Sequence, residues 1–260
     1  MASLDYNYFF IERGVTMLEK AFDDYVSNYN LKNKDIKLKY NHSYRVMKLQ
    51  EKYAKKLGFS KEDVELARVI GLLHDIGRFE QLRVYNTYDD YNSIDHADYS
   101  CTQLFEKGEI KRFVSNEEWY PIIEFSIRNH NKRVLPKVED ERMMRQAKLI
   151  RDTDKIDIIF LMGTLHEVNI KPIKKKITRE ILEGFYRHEE ISSTLIRNKN
   201  DHSVIHFSFA FDINNSTCLK ELLKNYNTYA TMQEDNEELH SVYLETVKYI
   251  KERLKNEGIR

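Results

Sequence analysis

Apolar residues recur every three or four positions along most of this chain, the period of a helix with one buried face. Between Val15 and Tyr29, the residues Met17, Leu18, Ala21, Phe22, Tyr25 and Val26 keep that spacing and predict a first amphipathic helix. A second is predicted from Lys39 to Leu57, with His42, Val46, Leu49, Tyr53 and Leu57 on one stripe and Gly58 at its C-cap. Ser60, with Asp63 three residues on, opens a third that runs through Val64, Ala67, Gly71 and His74, and Gly77 is expected to stop it. His74 and Asp75 then fall in its last turn. Residues Val84 to Asp95, rich in Tyr, Asn and Asp, lack the period and read as a loop at the mouth of a pocket. Ser93 or Asp95 is expected to cap a short helix carrying His96 to Phe105.

From Asn116 to Asn131 the pattern aligns Ile123, Ile127 and His130 on one helix face. The longest predicted helix, Glu139 to Glu167, runs Met143, Ala147, Ile150, Asp154, Ile158 and Leu161 along a single stripe, with a carboxylate in the middle of the apolar face. Lys171 to Lys176 reads as a solvated connector. Ser203 to Ile213 alternates like a strand, but no second clear strand exists to pair with it, and a buried helix is the preferred reading. Tyr243 to Leu254 closes the chain as an amphipathic helix. The expected class is all-α, with a helical core over residues 1–168 and a C-terminal helical extension, residues 169–260, packed on it.

Composition narrows the function. The 42 basic and 42 acidic residues cancel, so the chain lacks the surplus needed to neutralise a DNA backbone, whereas a small anionic substrate needs only a local cluster. Three prolines and eight glycines leave few breaks for a many-stranded sheet. Cys101 and Cys218 are too few and too far apart for a disulfide framework or a cysteine zinc site, which fits a reducing compartment. Met1 to Phe10 has no basic lead, and nowhere do about 18 apolar residues run together, so no membrane segment is expected and a cytoplasmic location is. Nothing in the pattern speaks to oligomeric state.

A single histidine on an apolar face is usually a satisfied core residue, but here five polar positions face inward from several helices. An ionised Asp154 in a dry core would cost several kcal/mol unless paired or metal-bound. Asp75, in a last helical turn, would sit at the negative end of the dipole, disfavoured by roughly 0.3 to 1 kcal/mol. Both carboxylates therefore call for a cation. A metal is one answer, and Lys155 or Arg78 is the other.

His42, then His74 and Asp75 inside Leu-Leu-His-Asp-Ile-Gly-Arg, then Asp154 inside Asp-Thr-Asp-Lys-Ile-Asp, form an ordered set over residues 38–165 that resembles the HD-domain metal-dependent phosphohydrolase superfamily. The resemblance implies an all-α fold with the metal between core helices and His42, His74, Asp75 and Asp154 as ligands. It also matches His96 and His130 to the extra histidines of binuclear members, with Asp75 bridging, and leaves Asp152 and Asp157 outside the ligand set or on the surface. One or two divalent ions are implied. Mixed imidazole and carboxylate ligation favours Fe or Mn, allows Co, Ni or Zn, and argues against Ca or Mg. The implied activity is hydrolysis of a nucleotide or related small phosphoester by metal-activated water, with Asp75 in the catalytic centre. Nearness in sequence to the ligands makes Arg78, Lys132, Arg133 and Lys155 the candidates for binding the phosphate, and Arg78, next to Gly77, a candidate catalytic residue as well. Two alternatives share the ligand set: an HD-type di-iron oxygenase, and a non-catalytic nucleotide-binding regulatory module. Asn129 and Asn131 flank His130, and Leu135-Pro136 follows without Gly-Tyr, which disfavours the cyclic-dinucleotide phosphodiesterases of the superfamily. Selectivity is expected in the loop around Tyr85, Tyr88 and Tyr91 and in the C-terminal extension.

Overall fold

The computed structural model describes residues 16–164, 172–189, 191–231 and 236–259. The expectations that fall on Met1 to Phe10, Val15, Glu167 and Lys171 lie outside the described residues. Helix α1 spans Met17–Val26 and opens with a capping box, in which the Thr16 hydroxyl accepts from Glu19 N and Thr16 N donates to the Glu19 carboxylate. Helix α2, Lys34–Lys56, starts earlier than its apolar stripe because the Asn33 side chain accepts from Asp35 N at 2.8 Å. It ends at Gly58, whose φ of 70° lets Phe59 N and Gly58 N turn back to Ala54 O and Lys55 O. Ser60 caps α3, Lys61–Leu73, as its spacing to Asp63 indicates.

Gly77 does not stop this helix. The chain breaks at His74 and Asp75, and a separate helix α4, Ile76–Tyr85, follows, with Gly77 inside it. A Cβ on Gly77 would lie 2.5 Å from Ser100 N, so the glycine is there to let α4 touch α5, His96–Cys101. Asp75 is consequently the N-cap of α4, at the positive end of a helix dipole, which reverses the penalty argued from a last helical turn. Asp95, not Ser93, caps α5 by accepting from Ala97 N and Asp98 N.

Helix α6 is Tyr120–Arg128 and stops short of His130, which sits in the turn after it rather than on its face. Helix α7, Glu141–Thr164, is buried on more than one stripe because it lies between α2, α6 and α10, Ser216–Ala230. Leu149, Ile150, Thr153, Ile156 and Asp157 are buried, while Asp154 and Ile158 are only partly covered and open onto a cleft. The strand-like stretch at Ser203 is helical, within α9, Lys199–Asp212, and no strand occurs among the described residues. Two helices carried no clear sequence signal, α8, Arg179–Tyr186, and α10. The chain closes with α11, Glu237–Asn256. No described helix is long and apolar enough to cross a membrane.

Two apolar clusters meet along α2, α3 and α7. One gathers Phe22, Val46, Ile70, Phe79 and Ile127 from the N-terminal helices. The other joins Tyr53, Ala67, Leu149 and Ile156 to Phe185, Phe207, Tyr226 and Ile250 from the C-terminal ones. The polar residues of interest lie between α2, the α3–α4 junction, the start of α5, the turn after α6 and the middle of α7.

Candidate metal centre

The structure brings all six expected ligands together. His42 Nε2 lies 3.1 Å from His74 Nε2, 3.2 Å from Asp154 Oδ1 and 3.5 Å from Asp75 Oδ2. His96 Nε2 lies 3.1 Å from His130 Nε2, and Asp75 Oδ1 is 3.6 and 3.8 Å from those two nitrogens. Asp75 thus turns one oxygen to each histidine pair. Its Oδ1 is buried and has no hydrogen-bond partner.

Each imidazole is held from behind. His42 Nδ1 contacts Asp157 Oδ2 at 2.6 Å, His74 Nδ1 contacts Gly71 O at 2.9 Å, and His130 Nδ1 contacts Ile127 O at 2.7 Å. His96 Nδ1 contacts Asp90 Oδ2. A carbonyl or carboxylate at Nδ1 places the proton there and aims the Nε2 lone pair inward, the usual support behind a metal-bound histidine. Two nitrogens that share one ion at about 2.1 Å, at right angles to each other, lie about 3.0 Å apart. Both Nε2 pairs have that spacing. The donor set and the orphaned Asp75 oxygen fit a pair of divalent ions.

The electrostatics of the cluster follow from burial and from close charges. Burial works against charge on Asp75, yet Lys39, His74, His96 and Arg78 outweigh it and hold the carboxyl well below the ordinary range. Desolvation likewise works against charge on the partly covered Asp154, and hydrogen bonds to His42 and His74 hold it low. Burial, with His96 and His74 beside it, pushes the His130 imidazole down to about 3. His96 is lowered by burial and by Arg78. Burial also opposes charge on His42, but hydrogen bonds to Asp154 and Asp157 reverse the sign and raise it.

The cations are arranged differently from expectation. Lys155 pairs with Asp212 at 2.7 Å rather than with Asp154, and Arg78 Nε stands 3.8 Å from Asp75 Oδ1 while its NH1 binds Asp90 and Tyr88 O. The close partner of Asp75 is Lys39, at 2.7 Å from Oδ2, which sequence reasoning missed. Its position three residues before His42 on α2, one turn back on the same face, was the available signal. Asp90 was missed too, for want of any period in its loop. Asp157 supports His42, and Asp152 lies away from the centre, where it accepts hydrogen bonds from the backbone and side chains of Asn214 and Asn215.

The centre floors a cleft of about 320 Å³ whose lining includes Lys39, Arg78, Lys132, Arg151 and Lys155. Arg133 is exposed and is not among the residues lining it. Tyr85 and Tyr91 are exposed outside the lining, and Tyr88 packs against Arg78 and Lys39, its hydroxyl donating to Asp35 O. That loop fastens the Arg78 side of the mouth and offers no stacking platform inside the cleft.

Residues 40–159 match the family model described as HD domain. Comparison with curated proteins and with solved structures finds no match.

Proposed function

We propose that this chain, whose residues 40–159 match the HD domain of the metal-dependent phosphohydrolases, hydrolyses a nucleotide or related small phosphoester at a binuclear centre held by His42, His74, Asp75, His96, His130 and Asp154. The observation that carries the reading is the split of Asp75, with one carboxylate oxygen toward each histidine pair, on the floor of a cationic cleft. Imidazole and carboxylate donors suit Fe or Mn before Ca or Mg. When bound, such ions supply Lewis acidity toward phosphoryl oxygens and a water acidic enough to act as hydroxide near neutral pH.

The chain's own residues do the rest. Lys39, Arg78 and Lys155 stand along the cleft as donors for phosphate oxygens, and charge-assisted hydrogen bonds from them fix the ester over the centre. Arg78 is pre-oriented by Asp90, Gln81 and Tyr88 O, so little rotamer freedom remains to be lost on binding. Lys132 is spanned by Asp95 and Asp98 and holds the rim at His130. Asp157 and Asp90 keep His42 and His96 turned inward.

The test is a screen of purified protein loaded with Mn, Fe, Co or Ni against nucleotides and simple phosphoesters. Hydrolysis is expected, and Asp75→Asn is expected to lower it by about a thousandfold or more, since it removes charge from both halves of the centre. Turnover that persists in Asp75→Asn, or its absence with every metal, sinks the proposal. Oxygen uptake by the iron form without phosphate release would point to the oxygenase alternative instead.

A further inference from the structure

The cleft has a second wall. Besides its charged residues it is lined by Ile158, Ile191, Ile205, Phe209 and Phe211, together with His188. Apart from Ile158, these residues lie beyond the part of the chain that matches the HD domain. The polar side chains that flank Phe209 and Phe211 in sequence are already engaged. Ser208 Oγ donates to Ile205 O at 2.7 Å, and Asp212 is paired with Arg151 at 2.8 Å and with Lys155 at 2.7 Å.

The apolar wall is fixed in place relative to the centre. Arg151, buried on α7, donates to Asn129 O on the His130 side and to Asp212 at the end of α9. Lys155 follows the ligand Asp154 directly, and its ammonium stands 5.8 Å from the Phe209 ring centroid. Phe211 is itself backed by the His188 ring at 4.5 Å and the Tyr249 ring at 4.9 Å. Phe209 and Ile205 thus line the same cleft as Lys155 and the centre, within reach of the ester substituent of a phosphate bound there.

We propose that this wall is the subsite for the non-phosphate part of the substrate, and that it selects phosphoesters with a compact aromatic or hydrocarbon body over those with a polyhydroxyl one. The inference rests on the phosphoester reading of the centre and, within it, favours a small phosphoester over a nucleotide, whose phosphate sits on a hydroxylated sugar. A sugar-like substituent would lose hydration against five apolar side chains whose polar sequence neighbours, Ser208 and Asp212, are already engaged, whereas a flat ring gains contact and a cation beside it. Built from apolar side chains, the wall reads shape and apolarity, and does not read the hydrogen-bonding edge of a base.

The test uses binding, so that it stands apart from turnover. The Mn-loaded full chain is titrated with phenylphosphonate and with methylphosphonate, which carry the same anion and cannot be hydrolysed as esters. Phenylphosphonate is expected to bind at least about tenfold tighter, the ratio that burying part of one aromatic face supplies. Phe209→Ser and Phe209→Leu are expected to bring the ratio toward one, in that order of severity. Because the ratio is read within each variant, partial loss of folded protein lowers both affinities together and leaves it unchanged. Equal affinities in the wild type, or a ratio insensitive to both substitutions, overturns the inference. A preserved preference with no hydrolysis of any phosphoester in the screen overturns the hydrolase reading and supports the apolar subsite.

Discussion

At the scale of single residues, the centre depends on groups that touch no substrate. Asp157 accepts from His42 Nδ1 and also from Arg45, so it both aims the ring and carries a compensated charge. Asp157→Asn keeps the shape but weakens that hold, and metal affinity is expected to fall roughly 10- to 100-fold. Competition against a fluorescent chelator measures it, and an unchanged affinity would mean that Asp157 serves the fold alone. Titration adds a second expectation for the chelated protein. Burial lowers His130 to about 3 and His206 to about 4, and His96 is lowered as well, against about 6.5 in an unfolded chain. Between those values the unfolded chain binds more protons than the folded one, so stability falls as pH drops from about 6.5 to about 4. Asp152, raised by burial, pulls the other way as one group against three. His42, raised above the unfolded value, is protonated in both states below about 6.5 and adds no slope there. Urea midpoints in chelator at about pH 6 and about pH 4.5, both below the range in which His42 changes charge, test the sign; a higher midpoint at the lower pH would contradict it.

At the scale of elements, two glycines separate conformation from close approach. Gly58 ends α2 at φ 70° with nothing near its missing Cβ, so Gly58→Ala is expected to cost about 1 kcal/mol of stability and leave metal affinity alone. Gly77 has an ordinary helical position, but a Cβ there would lie 2.5 Å from Ser100 N and 2.8 Å from Tyr99 C. Both atoms are backbone and cannot rotate away. Gly77→Ala must push α4 from α5, and because Asp75 caps one helix and His96 opens the other, it is expected to cost about 2 kcal/mol or more and to weaken metal binding. Thermal melts with and without Mn distinguish the pair. Equal behaviour of the two variants would show that the α4–α5 contact does not position the centre.

At the scale of the whole molecule, the C-terminal helices share a core with the metal-bearing ones. Leu149 and Ile156 of α7 and Tyr53 of α2 pack in one cluster with residues of α8 to α11. Asp152 of α7 also receives Asn214 and Asn215 at the start of α10, where that helix has no side-chain cap of its own. A chain ending before Arg179 would expose this cluster and strand the buried Asp152 carboxylate without its donors. Such a truncation is expected to be insoluble or molten, judged by urea unfolding and dye binding, and a cooperative, metal-binding fragment would refute this. Within the intact chain, a metal bound only by the folded state stabilises it by about 2.7 kcal/mol at a hundredfold excess over its dissociation constant. Chelation should therefore lower the melting temperature measurably.

Periodicity and motif order determined much of this by themselves. The positions of His42, His74, Asp75 and Asp154 on or beside buried helix faces follow from local spacing, and so does the all-α class, because a 3.6-residue period is a property of a segment and not of its neighbours. Helix ends read from a dedicated residue, such as Ser60 and Gly58, belong to the same kind of information, whereas the Asn33 cap was missed because the apolar stripe starts a turn or more later. Gly77 was misread because a glycine that ends a helix and a glycine that admits a neighbouring backbone look alike in one dimension. The tertiary structure alone decided that Asp75 divides its oxygens between two histidine pairs, that Asp157 reaches His42 across 115 residues, that Lys39 rather than Lys155 or Arg78 meets Asp75, and that α9 walls the cleft. Those facts depend on the angles and distances at which helices pack. Helix packing is fixed by the fit of many side chains at once and leaves no mark on the period of any single helix.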